Sequence, residues 1–149
     1  MSVLPNDLSV TLKSEGRTTM SFILTNPNPD GLNVGDCSVR AISIATEKPW
    51  NTVYMELALQ GFKMKDMPSS NRVWSSYLDE QGYKLYLIPD SCPECYTIND
   101  FCREYPKGTY IIGTGSHVVA VKDGSVMDTW DSTSERPLYF WKKGVDPDV

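Results

Sequence analysis

The hydrophobic positions of this chain change period as they go. Over residues 8–24 they alternate, at Val10 and Leu12 and again at Met20, Phe22 and Leu24. Alternation predicts strands, and Ser14-Glu15-Gly16 between the two runs predicts a turn, so the segment reads as an N-terminal hairpin or extension. Asn26-Pro27-Asn28-Pro29-Asp30-Gly31 breaks any regular pattern and reads as a loop. The period then becomes helical. Cys37, Ala41, Ile44 and Ala45 share one face of a helix beginning at Cys37, and its alanines let a sheet approach closely. A second helix runs from Pro49 to Gln60, with Val53, Tyr54, Leu57 and Ala58 as its stripe and Gly61 past its end. A third is capped by Ser70, carries Val73, Trp74, Tyr77 and Leu78, and stops at Gly82.

From Tyr83 the pattern turns to strands. Tyr83–Pro89 is one, and a short helix from Ile98 to Tyr105 follows, opened by Thr97 and Asp100 in a capping-box arrangement. Thr109–Gly113, His117–Lys122, Ser125–Trp130 and Leu138–Lys142 then read as an antiparallel meander, with Asp123-Gly124 as a two-residue hairpin turn. Helices first and sheet second predict one α+β domain over 1–149. Its parts are an N-terminal hairpin or extension (1–30), a helical part (31–82) and a mainly antiparallel sheet (83–149).

Composition narrows the partners. Fourteen basic against nineteen acidic residues leave a net charge of −5 with no lysine or arginine cluster, which argues against nucleic acid. No run nears the ~20 apolar residues of a membrane helix, and the first residues lack the basic-then-apolar pattern of an export signal. The expectation is a cytoplasmic protein with no membrane partner, whose four cysteines are reduced thiols.

The chain holds a single histidine, His117. Its ordinary pKa, near ~6.5, suits proton transfer at neutral pH, so any imidazole chemistry must run through it. Cys37 stands at a helix start, where the dipole favours a thiolate by about 0.3–1 kcal/mol. Alone it would read as a buried structural cysteine. The Asp123-Gly124 turn adds a third residue. It sets Lys122 opposite Ser125, and counting back sets Val119 opposite Asp128 and His117 opposite Trp130. His117 and Asp128 then share a sheet face as diagonal neighbours, ~7–8 Å apart at the backbone, a gap their side chains can bridge. Asp131 points to the other face and takes this place only if the turn is longer by one residue. Cys37, His117 and Asp128 are thus the expected nucleophile, base and orienting acid of a thiol hydrolase, with Trp130 shielding the His–Asp pair from water.

These surroundings resemble papain-like cysteine peptidases. Cys37 opens a helix as that family's cysteine does, His117-Val118-Val119-Ala120-Val121 resembles its histidine strand, and Asp128-Thr129-Trp130 stands where its Asn-Ser-Trp would be. Gly115–Ser132 also resembles small bacterial and phage-associated papain-like proteins. The resemblance implies N-terminal helices, with a central one headed by the cysteine, packed on a C-terminal antiparallel sheet. It implies a peptidase, isopeptidase or amidase working through a thioester on a peptide or protein substrate. It implies no metal or cofactor, and a cytoplasmic setting in a bacterium or a phage-infected cell.

The chain also departs from that pattern. The interval from Cys37 to His117 is far shorter than the about 130–150 residues of papain-type enzymes, which implies a trimmed substrate-binding lobe. The third member is Asp rather than Asn. No glutamine precedes Cys37, and Asn33 is the only nearby amide side chain, so it is assigned to the oxyanion together with the Cys37 N–H. Losing one oxyanion donor costs ~100–1000-fold in rate. That keeps open a catalytically inactive binding or regulatory protein on this scaffold. A transglutaminase- or deamidase-type acyl transferase would share the same acyl-enzyme.

The remaining cysteines fit other roles poorly. Cys92-Pro93-Glu94-Cys95 with Cys102 falls short of the four ligands of a structural zinc site, and a redox pair there lacks a thioredoxin-like setting. Cys102 lies on the apolar line of Ile98, Phe101 and Tyr105 and reads as core, as do Trp50, Trp74 and Trp141 by default.

Overall fold

The computed structural model describes residues 21–89 and 96–144. These form an α+β fold of four helices and one six-stranded mixed sheet. In chain order they are β1 (Phe22–Leu24), α1 (Cys37–Thr46), α2 (Trp50–Met64), α3 (Asn71–Glu80), β2 (Tyr83–Leu87), α4 (Ile98–Glu104), β3 (Thr109–Gly113), β4 (Val118–Lys122), β5 (Ser125–Asp128) and β6 (Tyr139–Lys143). Residues 8–20 of the expected hairpin, and Cys92 and Cys95, lie outside the described residues.

The sheet runs β1-β5-β4-β3-β6-β2. β3, β4 and β5 follow one another antiparallel, but β6 does not extend them as the expected meander would. It returns to lie beside β3, with Ile111 opposite Trp141. The spatial order β6-β3-β4-β5 is a Greek key. The edge of β5 that a meander would use is occupied by β1, which pairs in parallel with Phe22 opposite Val126. The sheet is therefore mixed rather than antiparallel, because an N-terminal strand closes one edge of an otherwise antiparallel set.

Helices cover both faces of the sheet, which is why its central strands read as continuous apolar runs. On one face Ile111, Val118, Ala120 and Trp141 pack with Val39, Ile42, Val53, Leu57, Trp74 and Leu78 of α1, α2 and α3. On the other, Ile112, Val119, Val121, Val126 and Phe140 pack with Ile98, Phe101 and Cys102 of α4. Fully burying one such aliphatic or aromatic side chain contributes roughly 1.5–3 kcal/mol. α1 is the central helix. Ser38 through Ile44 are all buried, so it is enclosed nearly all round rather than along one stripe.

The helix ends show where local signals prevail. Ser70 caps α3, accepting from the Arg72 N–H at 3.2 Å. Thr97 and Asp100 form the expected capping box of α4. α2 departs from expectation, running through Gly61 to Met64, with Lys65 taking the left-handed cap at φ 60°. Gly61 is required for packing instead of termination. A Cβ there would lie 2.6 Å from the Asp66 carbonyl oxygen, where the chain folds back on the helix. Among the described residues no helix is long and apolar enough to cross a membrane.

Candidate active site

Three element ends meet at one end of the sheet. Cys37 is the first residue of α1. His117 precedes β4 at the exit of the tight turn Thr114–His117, which the Thr114 N–H closes onto the His117 carbonyl at 2.9 Å. Gly115 makes that turn possible with φ +101°. Asp128 ends β5. The Asp123-Gly124 turn has both residues at positive φ (48° and 79°), the type I′ pattern, and sets Lys122 opposite Ser125.

His117 Nε2 lies 2.7 Å from Asp128 Oδ2. Cys37 and His117 line the same cleft and perturb each other's titration through hydrogen bonding and charge, and the Val118 N–H acts on the sulfur as well. Strict alternation would group His117 with Val119 and Val121, on the face away from α1. Its place at the turn, outside the regular strand, lets it reach Cys37.

The electrostatics follow from these contacts. Burial pushes the Cys37 thiol up, but the His117 and Val118 hydrogen bonds and the charges of His117 and Arg40 outweigh it, holding the thiol below its ordinary value. Burial works against the His117 imidazolium, yet its hydrogen bonds and charge contacts with Asp128 and Cys37 raise it to about 9. Asp128 is buried, which disfavours its charge, but His117, Ser132 and the Thr129 N–H hold its carboxyl below the usual range. Together these shifts favour a thiolate–imidazolium pair. Cys102 is the contrast: burial without such partners pushes its thiol to about 11. Trp130 lies over the imidazole, ring centroids 4.9 Å apart, and is itself 44% exposed.

Sequence reasoning missed what stands behind Asp128. Arg40 of α1 is buried and bonds Asp128 Oδ1 at 3.2 Å and Asp36 Oδ1. The other oxygen of Asp36 accepts from Trp50 Nε1 at 2.9 Å. Asp128 further accepts from the Ser132 hydroxyl at 2.8 Å and the Thr129 N–H at 2.7 Å. Asp36 is a residue type that usually caps a helix, but its side chain makes no cap bond here because Arg40 and Trp50 engage it. One signal was available: an arginine in the apolar stretch Val39-Arg40-Ala41-Ile42 must find a buried partner.

The other expected residues sort as follows. Asp131 is not beside His117; its carboxylate accepts from the Thr133 N–H and hydroxyl. Asn33 is exposed and lines a cleft of about 540 Å³ together with Cys37, Arg40, His117 and Trp130. Cys102, Trp74 and Trp141 are core, whereas Trp50 is half-buried against Asp36. Gly113, opposite Tyr139, seats that ring below the site: a Cβ on Gly113 would lie 2.1 Å from it. No family model matches the chain, and neither the curated proteins nor the solved structures yield a match.

Proposed function

We propose that this protein is a papain-like, cysteine-dependent hydrolase that cleaves a peptide, isopeptide or amide bond. The observation that carries the reading is one imidazole 2.7 Å from a buried carboxylate and lining one cleft with a helix-start cysteine. A nucleophile, a base and an orienting group in sequence are what covalent acyl chemistry requires.

In this mechanism the Cys37 thiolate attacks the substrate carbonyl and forms the C–S bond. The Cys37 N–H, with Asn33 at the cleft edge, stabilises the oxyanion. The His117 imidazolium gives its proton to the leaving nitrogen as the C–N bond breaks, leaving a thioester. Water then attacks the thioester, His117 takes its proton, and the acid departs as the thiol is restored. Asp128 holds the ring so that Nδ1 faces the sulfur throughout.

Iodoacetamide labelling at about pH 6 tests the reading, because an ordinary thiol is almost wholly protonated there. Cys37 is expected to alkylate selectively and to lose that selectivity in His117→Ala. Equal slow labelling of all four cysteines would refute the proposal. The lack of a glutamine before Cys37 favours a second reading, an inactive binding protein on the same scaffold. Selective labelling without turnover of any peptide substrate would support that second reading.

A further inference from the structure

Cys37 and His117 stand between two hollows. The cleft of about 540 Å³ opens toward Asn33, Val34 and Trp130. On the other side a pocket of about 130 Å³ is walled by Ser38, Ser69, Asn71, Trp74 and Tyr139. Gly35 and Ser116 border both. A Cβ on Gly35 would meet open space, so the lip there is low. A substrate chain lying in the cleft therefore passes over the thiol and presents its next side chain to the pocket.

We infer that this pocket selects a small uncharged residue, short aliphatic or hydroxyl-bearing, beside the scissile carbonyl. The inference deepens the hydrolase reading and rests on Cys37 being its nucleophile. Size is the first ground. A cavity of ~150 Å³ is known to hold benzene, and this pocket, at about 130 Å³, is smaller and walled by two rings already in place. Trp74 and Tyr139 stack with centroids 6.5 Å apart, the Tyr139 ring seated in the space that Gly113 leaves for it. The wall cannot simply retreat.

Charge is the second ground. Among the described residues, the pocket lining holds no charged side chain apart from the reacting pair. Among the described residues the cleft adds only Arg40, already engaged by Asp36 and Asp128. A lysine or aspartate entering would lose water and meet no counter-charge, an uncompensated cost. A neutral hydroxyl fares better. Ser38 and Ser69 line the pocket, and Asn71 Oδ1 accepts from Trp74 Nε1 at 3.0 Å, which orients the amide and leaves its NH₂ to donate.

Acetyl-Ala-X chloromethyl ketones, with X as Ala, Ser, Asp, Lys or Phe, test this. The thiolate displaces chloride and forms a C–S bond, so the rate is read as the mass of the Cys37 adduct. Each rate is divided by that of iodoacetamide on the same protein. The Ala and Ser probes are expected to react at least ~10-fold faster than the Asp, Lys and Phe probes, the scale on which a close-fitting pocket discriminates. Ser69→Phe, which fills the pocket from its exposed lip, is expected to shrink that preference. Rates within about twofold across the panel, or a preference for Phe or Lys, would overturn the inference while selective iodoacetamide labelling leaves the hydrolase reading standing. Unselective iodoacetamide labelling would overturn both.

Discussion

Replacing Arg40 by methionine tests the ion-pair system behind the site. Arg40 is 6% exposed and touches two carboxylates that are themselves buried, Asp36 at 6% and Asp128 at 2%. Methionine keeps the stem's apolar packing and removes only the charged head. Removing one partner of a buried ion pair costs about 3–5 kcal/mol, because the charge left behind has neither water nor partner. The loss is unequal at the two ends. Asp128 keeps His117, Ser132 and the Thr129 N–H, whereas Asp36 keeps Trp50 as its side-chain donor. The penalty therefore sits mainly at Asp36, and the lower figure, about 3 kcal/mol, is expected. In a chain of this size that lowers Tm by roughly 6–12 °C, at ~2–4 °C per kcal/mol. Calorimetry and urea unfolding read it directly. Arg40→Met with Asp36→Asn should recover part of the loss, since the orphaned charge is gone. A single-variant cost within about 0.5 kcal/mol, typical of an exposed position, would refute the account.

Three further outcomes follow from the geometry. Because the protein has one histidine, its imidazole signal in a proton NMR titration belongs to His117; its midpoint is expected at about 9, and a midpoint at the ordinary ~6.5 would contradict the hydrogen-bond arrangement. A raised histidine value stabilises the fold fully below the unfolded value of ~6.5 and loses that contribution as pH rises through the folded one. His117→Gln should therefore cost more stability at about pH 6 than at about pH 10, and a cost independent of pH would contradict the shift. Gly113→Ala should cost at least about 1–3 kcal/mol in denaturant unfolding, the scale of overpacking, because its Cβ would sit 2.1 Å from the Tyr139 ring; a neutral variant would mean the ring moves freely.

The parts of this fold legible in sequence are the short-range ones. Asp123-Gly124 dictated a turn, the turn dictated a register, and the register put Asp128 within reach of His117. Thr97 and Asp100, and Ser70, marked helix starts for equally local reasons. Long-range choices left no such mark. Nothing local tells Tyr139–Lys143 to pair with β3 rather than β5, or Phe22–Leu24 to close the β5 edge in parallel. Gly61 misled because a glycine needed for close approach looks the same in sequence as one that ends a helix. The meeting of His117 with Cys37 was predicted from residue types. Alternation alone would have separated them, and the turn at Gly115 is what reconciles the two.

The Arg40–Asp128 bond spans 88 positions of the chain. A ribosome makes the chain from its N-terminus, at ~5–20 residues per second, so Cys37 emerges several seconds before His117 and Asp128. During that interval the thiol has the helix start at most, and neither imidazole nor charge network. The surroundings that hold the Cys37 thiol below its ordinary value are thus completed only when the segments carrying β4 and β5 arrive, late in the chain.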